Sequence, residues 1–586
     1  MKNYQRCCLL LAVLTGLCAI SFRGLTQTVK PERNAGSRSL ASREDAYRAN
    51  NLGVALLEQY KHKEGAEAFT RALQLDPQLR LARVNLAIAL YNVPDLAASE
   101  REARSALRLA PDMPQPHYIL GLIAKSQNRA DEALAAFGSV LWLDARDVGA
   151  NVNSGQLLAQ QRRYTEAIAA FRAAVASEPY NMTALYNLAL VLTRTGQRAE
   201  AQSMLARFQQ LQRSGAGTSI GTNYAEQGRY AEAVASTGAE VELVDRSAPA
   251  VAFVDATESL LPTAVATRPS LATRAGVAAA SPAARERAPE QNKQRAAELR
   301  DLARLGGGAT LFDYDGDGDL DLFDLAPATQ RLLRNDAGKF TDVTAQSGLP
   351  PLITGVGLGA IAGDYDNDGR ADLFVLRYDG GCVLYHNDGA GRFSDVTKSA
   401  NIPRLPDSLS LPLSAAFVDV DHDGDLDIFV AGVSNLLLRN NGEGKFTDET
   451  SAAELAERVS MALAVVPTDY DNRRDVDLFV VHSHDAPSLF RNLRNSAFRN
   501  VAGEVGLTLR ADYTCVAAGD FNKDGYTDFF LGRKEAAGLF AISDARGGFV
   551  LRDAPAETKA ARAAQFLDYD NDGLLDLIMV AGAGLR

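Results

Sequence analysis

Asp364, Asp366, Asp368 and Asp372 stand at positions 1, 3, 5 and 9 of one short loop, with Gly369 at position 6. Carboxylates spaced two apart and closed by a fourth offer several oxygens to one point, the donor set of a hard cation. The loop is written six times, starting at Asp313, Asp364, Asp419, Asp469, Asp520 and Asp568. The spacings are 51, 55, 50, 51 and 48 residues. A period of that length marks a repeat architecture.

The elements around the loop must hold it. In the second repeat, apolar or alternating runs cover 358–362, 372–376, 382–386 and 392–396. The acidic loop joins the first run to the second, and a turn at 387–391, rich in Gly and Asn, joins the third to the fourth. Four short strands per unit of about 50 residues read as a propeller blade, which needs neighbours to bury both its faces. A helix–loop–helix calcium loop does not fit. Its bidentate Glu at position 12 is missing, replaced by Val375 in the second loop and Val430 in the third, and the flanks are strand-like.

The short loop resembles the calcium site of integrin α-subunit propellers and of the FG-GAP/VCBS repeat family, over about 311–586. That resemblance implies a ligand set for each loop. The first is Asp313, Asp315, Asp317 and Asp321, with the carbonyl of Asp319. The second is Asp364, Asp366, Asp368 and Asp372, with the carbonyl of Arg370. The third is Asp419, Asp421, Asp423 and Asp427, with the carbonyl of Asp425. The fifth is Asp520, Asn522, Asp524 and Asp528, one charge poorer and so weaker; the sixth is Asp568, Asp570, Asp572 and Asp576. The fourth loop keeps Asp469, Asp471 and Asp477 but puts Arg473 and Arg474 where the third Asp and the Gly belong. It is expected to be metal-free and held by ion pairs. About five Ca²⁺ sites result; flexible loops with many carboxylates suit calcium better than octahedral magnesium. Their expected role is to staple blades rather than to sense. The run 333–344 (Leu-Arg-Asn-Asp-Ala-Gly-Lys-Phe-Thr-Asp-Val-Thr), echoed at 438–448, resembles bacterial proteins carrying an ASPIC/UnbV domain after such repeats, similar to the cartilage acidic protein family. Those end in a further module, whereas this chain ends at Arg586, after the second strand of its sixth repeat. Either the sequence is truncated or a strand-like island at 251–257 helps close the ring; six and seven blades both stay open.

From Ala46 a second period, of 34 residues, sets in, with register starts at Ala46, Arg80, Pro114, Val148 and Met182. Position 8 is small (Gly53, Ala87, Gly121, Gly155, Ala189), as is position 20. Position 24 is often large (Phe69, Phe137, Phe171), and position 32 is often proline (Pro77, Pro111, Pro179). Small residues let two helices approach, the large one is expected to fill the gap to the next pair, and proline ends the second helix. This resembles the tetratricopeptide family over 46–213, and residues 223–234 look like part of a sixth, degenerate pair. The resemblance implies a groove for an extended peptide or partner helix, with Asn50, Asn85, His117, Asn151 and Asn187 on the first helices as candidate lining residues. The same asparagines could instead cap or bridge helices.

The fold class is therefore multidomain: an all-α TPR solenoid followed by an all-β propeller of FG-GAP/VCBS-type blades. The domains are a signal peptide (1–21), a linker (22–44), the helical repeats (45–237), an Ala/Pro-rich linker (238–305) and the propeller (306–586). Lys2 and Arg6 before an apolar run at 7–20, with Ala19-Ile20-Ser21 as a cleavage site, read as export to periplasm, exterior or cell surface; an uncleaved anchor is the alternative. A net charge of −12 with no basic face argues against nucleic acid. Cys382 and Cys515, in separate repeats, read as buried thiols. His386 and His422 look isolated in repeat turns, and 482–485 (His-Ser-His-Asp) reads as a solvated loop. No nucleophile elbow, phosphate loop or zinc-protease motif appears. The expectation is a non-catalytic, calcium-binding scaffold or adhesion-type protein with a protein or peptide partner in the groove and an extracellular or cell-surface ligand. The alternative is an enzyme or enzyme subunit with its site on the propeller's axial face or in a missing C-terminal module.

Overall fold

The protein is represented by a computed structural model that describes residues 35–585 apart from 215–216, 237–255, 263–307, 354, 379–380, 405–410, 457–459, 495–496, 546, 570–573 and 582–583. The leader at 1–21 and most of the 251–257 island lie outside the described residues. The chain divides into two compact units, one holding the helical repeats and one the acidic repeats.

The helical unit is five antiparallel pairs: α1 (Ala35–Glu58) with α2 (His62–Leu75), α3 (Arg80–Asn92) with α4 (Leu96–Leu109), α5 (Pro114–Ser126) with α6 (Ala130–Leu143), α7 (Val148–Gln160) with α8 (Tyr164–Ser177), and α9 (Met182–Arg194) with α10 (Arg198–Ser214). Helices α3, α5, α7 and α9 begin on the register residues read from the period. Asp95, Asp147 and Asn181 start α4, α7 and α9 by accepting the N–H of Ala98, Ala150 and Ala184.

The large residue at position 24 has a partner within its own pair. A Cβ on Gly53, Gly121 or Gly155 would meet the ring of Phe69, Phe137 or Phe171 at 2.5 to 2.7 Å. Each ring lies on the glycine of its own pair, and Phe171 also shares a core cluster with Leu188, Val191 and Leu192 of the next. Where position 24 is Ala103 or Leu205, position 8 is Ala87 or Ala189. Glycine and ring are thus one packing unit. Gly121→Ala is expected to destabilise the helical unit by about 1–3 kcal/mol through overpacking. Adding Phe137→Leu should recover most of that loss in chemical denaturation; additive losses would refute the pairing.

Among the described residues, 217–236 form no sixth helical pair after α10. Residues 217–236 hold only two short 3₁₀ turns, Tyr224–Glu226 and Arg229–Ala231, in an otherwise extended run. Gly228, at φ 106°, allows a course that a side chain would block, since its Cβ would meet Tyr118 Oη at 2.4 Å.

Burial also charges the helical unit with a pH dependence. Asp147 is 4 % exposed, and burial raises its carboxyl to about 7, with Asp144 and Glu178 adding to the rise and the Ala150 N–H and Arg229 opposing it. A carboxyl whose folded pKa exceeds its unfolded one favours folding at low pH. Its contribution fades as pH rises from about 4 to 7, by at most about 4 kcal/mol. Asp147→Asn keeps the cap and cannot ionise. It should raise the melting temperature at pH 8 and leave it nearly unchanged at pH 4; an equal effect at both would disprove the assignment.

The second unit is built from antiparallel sheets. The first is β1 (Gly308–Phe312), β2 (Asp321–Leu325), β3 (Gln330–Asp336), β4 (Lys339–Asp342). The second is β5 (Val356–Gly363), β6 (Asp372–Tyr378), β7 (Val383–Gly389), β8 (Arg392–Asp395). The third is β9 (Pro412–Val418), β10 (Asp427–Gly432), β11 (Leu436–Asn440), β12 (Phe446–Asp448). The fourth is β13 (Ala462–Thr468), β14 (Asp477–Asp485), β15 (Ser488–Asn492), β16 (Phe498–Asn500). The fifth is β17 (Ala511–Gly519), β18 (Asp528–Arg533), β19 (Leu539–Ser543), β20 (Phe549–Asp553), and a partial sixth has β21 (Ala563–Leu567), β22 (Asp576–Ala581), β23 (Gly584–Leu585). The first strands of successive sheets pack in series, β1 on β5, β5 on β9, β9 on β13, β13 on β17 and β17 on β21. This is the blade order of a propeller.

The apolar runs follow from that order. Leu373 and Val375 face the first blade, while Phe374 and Leu376 face the third. Ile428 and Val430 face the second blade, and Phe429 and Ala431 the fourth. A strand buried on both sides has no polar face, hence a continuous run. At one seam the blades also share a ladder, because β14 pairs with β17 and joins the fourth and fifth sheets. Before β1, Thr257 opens a four-residue helix (Thr257–Leu260), and Leu261 packs on Leu322, Leu333 and Phe340 of the first blade.

Candidate functional site

Each acidic loop spans the turn from the first strand of a blade to the second. Position 9 is the first residue of the second strand, and Asp321, Asp372, Asp427, Asp477 and Asp528 are all at most 1 % exposed there. Oδ1 of each is committed to a backbone N–H. In the third loop Asp427 Oδ2 accepts the N–H of Val420 at 3.0 Å, and Oδ1 that of Asn440 at 2.7 Å. The Oδ1 bond recurs to Asn335, Asn387, Asn492 and Ser543. Position 1 folds the loop inward: Asp364 accepts the N–H groups of Asp368 and Gly369, and Asp520 those of Asp524 and Gly525. Position 5 accepts the N–H of position 7, as Asp317 does from Asp319, Asp423 from Asp425 and Asp524 from Tyr526. The backbone thereby fixes the orientation of these carboxylates.

They converge in four loops among the described residues. Ligand oxygens of Asp313, Asp315 and Asp321 lie within 4.8 Å of one another, as do those of Asp364, Asp366 and Asp368, of Asp419, Asp421 and Asp427, and of Asp469, Asp471 and Asp477. Asp317 and Asp423 do not join these groups. Neither do Asp520, Asp524 and Asp528 of the fifth loop, whose Asn522 amide instead donates to Asp524 Oδ2 at 3.1 Å. Asp568 and Asp576 flank the sixth loop, whose Asp570 and Asp572 lie outside the described residues.

The donor set fits a divalent cation. Asp419 Oδ1 and Asp421 Oδ1 are buried without a hydrogen-bond partner, as are Asp477 Oδ2 and Asp528 Oδ2. Burial raises Asp321 and Asp528 to about 6 and Asp372 and Asp427 to about 7; neighbouring loop carboxylates add to it, and N–H bonds oppose it. His386 also opposes the rise at Asp372, and a bound cation would favour the charged form of all four. Positions 319, 370 and 425 would add a carbonyl; their side chains are used elsewhere. Asp319 accepts the N–H of Ala337, Asp425 accepts the Asn367 amide, and Arg370 pairs with Asp368.

Several participants went unread in the sequence. The residue before the third-strand Asn overhangs the loop of its own blade. His386 Nδ1 is 3.3 Å from Asp366 and 3.2 Å from Asp372, so it is not isolated. Arg439 pairs with Asp421. In the fourth loop Asp471 lies between Arg473 Nε at 3.0 Å and Arg491 Nε at 3.4 Å. Arg474 there holds φ 65°, where the other loops place glycine. His422 is not isolated either; its Nε2 reaches Asp475 of the next loop at 3.1 Å. Asn367 and Asn472 make the same step, to Asp425 and to the carbonyl of Gly525. All three hold position 4 at φ 55° to 60°, which aims each side chain at the following loop. The segment 482–485 is no solvated loop. His482 is buried on Ser488, and His484 pairs with Asp512 at the shared ladder. Cys382 and Cys515 are buried free thiols, as expected.

The third-strand asparagine is a second device. Asn387 donates to the carbonyl of Tyr314, Asn440 to that of Tyr365 and Asn492 to that of Val420, each time position 2 of the preceding blade's loop. Tyr314 and Tyr365 in turn lie on Phe393 and Phe446 of the following blade.

In the helical unit, the five predicted lining residues divide. Asn50 and Asn85 bond each other and the carbonyl of Val234. Asn151 and Asn187 donate to carbonyls four residues back, the capping role weighed against the groove role. Burial lowers the pKa of His117. Asn51, Asn92 and Tyr118 also meet the 217–236 run and were not foreseen.

Fold and sites define a two-part repeat protein. Tetratricopeptide repeats match at 84–147 and 152–211, and FG-GAP-like repeats at 313–375, 364–430 and 469–531. Repeats of these kinds make the chain a protein–protein interaction scaffold. It is similar to cartilage acidic protein 1 of Mus musculus (26 % identity over 206 residues, 33 % of this chain and 31 % of that protein). It is likewise similar to cartilage acidic protein 1 of Xenopus tropicalis (25 % over 248 residues, 42 % and 31 %). The chain spans about a third of the length of the curated relatives it matches. Among solved structures, MamA 41-end from Desulfovibrio magneticus RS-1 is similar over 29 % of this chain and 97 % of that one, at 18 % identity and a TM-score of 0.27.

Proposed function

We propose that this chain is an exported, non-catalytic scaffold that binds Ca²⁺ in its acidic loops and presents its helical groove and propeller surface to protein partners. The observation that carries the reading is the convergence of carboxylate oxygens at the turn between the first two strands of successive blades. Calcium accepts such flexible, oxygen-rich sets. Its charge would offset the repulsion that burial imposes on the aspartates. The fourth loop, with two guanidinium groups on Asp471, is the one proposed to stay metal-free. The fifth, with Asn522, is the weakest. The leader at 1–21 supports export.

Titration calorimetry of the full chain with calcium tests the loops, with Asp419→Ala expected to remove one site and Asp469→Ala none. An unchanged stoichiometry in Asp419→Ala would contradict the site assignment. Capture from the exported fraction, with and without chelator, tests the scaffold. One protein retained only with calcium supports it; none retained counts against it.

A further inference from the structure

The face expected to take a peptide already holds one, and it belongs to the same chain. Residues 217–236 start at α9, where the N–H of Met182 donates to the carbonyl of Thr218, and run back across the first helices of the preceding pairs. Gln227 donates to Asn92 Oδ1 of α3, and its own carbonyl accepts Tyr118 Oη of α5 at 2.6 Å. The Asn85 carboxamide then takes both backbone groups of Val234, donating to its carbonyl at 2.7 Å and accepting its N–H at 2.8 Å. The Asn51 carboxamide of α1 does the same for Ser236, at 2.9 and 2.7 Å. Two residues apart on an extended strand, these groups point to one side. A carboxamide paired with N–H and C=O reads backbone, not side chain.

The side chains of the run supply the apolar part. Tyr224, Tyr230 and Ala231 are buried in the cluster that includes Tyr118 and Phe137. Tyr230 Oη donates to Asp144 Oδ2 at 2.9 Å. Backbone clamps beside an aromatic pocket are what an extended ligand needs. Any peptide with the same features can make every one of these bonds.

We propose that residues 221–236 are a displaceable latch that occupies the groove in place of an extended peptide from a partner protein. That peptide carries an aromatic residue where Tyr230 lies, a small one where Ala231 lies, and a free backbone edge where Val234 and Ser236 meet the asparagines. The proposal rests on the scaffold reading and adds its ligand class and its regulation. Tethering gives the resident segment an effective concentration on the order of millimolar. A free peptide of similar intrinsic affinity therefore binds the latched chain far more weakly than the open one.

The test uses the full chain and a fluorescent peptide with the sequence of residues 221–237, followed by anisotropy. Tyr230→Ser with Ala231→Asp opens the latch; Asn51→Cys with Ser236→Cys ties it shut when oxidised. The opened chain should bind at least tenfold more tightly than the wild type, and the tied chain should bind none when oxidised and regain on reduction the binding of a chain carrying Asn51→Cys alone. Equal affinity for wild type and opened chain, or binding to the tied chain, overturns the latch. So does absence of binding to an opened chain whose helices still melt cooperatively. If the opened variant does not fold, the tied pair decides alone: no gain of binding on reduction overturns the proposal. A concentration-dependent dimer of the opened chain would show that the occupant is a second copy, contrary to the assignment. A partner captured equally by wild type and opened chain ends the latch and spares the scaffold. Peptide binding confined to the opened chain, with no exported partner captured, does the reverse.

Discussion

Stripping divalent cations from the full-length protein is expected to lower the unfolding midpoint of the propeller by about 20 °C and to leave the helical transition in place. The reason lies in the strand junctions. Asp321, Asp372, Asp427 and Asp528 are fully buried at the head of their strands, and the first three lie close to further carboxylates of their loops. Without a cation they must be ionised against burial or protonated at a cost. A ligand at a hundred times its dissociation constant adds about 2.7 kcal/mol per site. Five sites give on the order of 10 kcal/mol, and at this size each kcal/mol moves the midpoint by about 2–4 °C. Scanning calorimetry in calcium and in chelator, at matched ionic strength, reads the difference. A shift of no more than a degree or two would remove the cation from any account of the fold.

Asn440→Ala is expected to cost the propeller about 3 kcal/mol or more, whereas Asn335→Ala costs about 1 kcal/mol. Asn440 is 1 % exposed and donates to Tyr365 in the previous blade and to Leu426 in its own, while accepting the N–H of Gly442. Truncation leaves the carbonyl of buried Tyr365 and that of half-buried Leu426 without this donor. Asn335 holds the same place in the first blade and likewise accepts the N–H of Gly338, but its amide donates to the carbonyl of Leu320 in its own blade, and it is partly exposed. Urea denaturation of the two variants at fixed calcium compares them. Equal losses would show that the bond between blades is not what the asparagine contributes.

Much of this architecture was legible in the sequence because period and spacing are local properties. The 34-residue register placed the first residues of α3, α5, α7 and α9, and the Asp at position 9 marked the head of each second strand. What escaped was long-range. Asn440 and Tyr365 are 75 residues apart, and nothing in either run announces the bond. His386 and Arg439 overhang the loops because they precede that asparagine in the third strand, a regularity visible only once the strand is folded. The 223–234 segment misled for a different reason. It repeats the small and aromatic residues of a helical pair, yet Gly221 and Gly228 interrupt it and the Ala/Pro-rich linker follows. Its apolar residues are real, but they serve an extended path.

The shared ladder between β14 and β17 gives the propeller uneven mechanics. Elsewhere neighbouring blades meet through side chains and single backbone bonds, which can slide by fractions of an ångström. At the ladder, Ser483 faces Asp512 and Asp485 faces Ala511 across a register shift, so backbone pairing ties the two sheets together. This is also the seam where Ser543 stands in place of the stapling asparagine. Under load, the fourth and fifth blades form a stiff sector, and breathing of the domain is confined to the seams on either side of it.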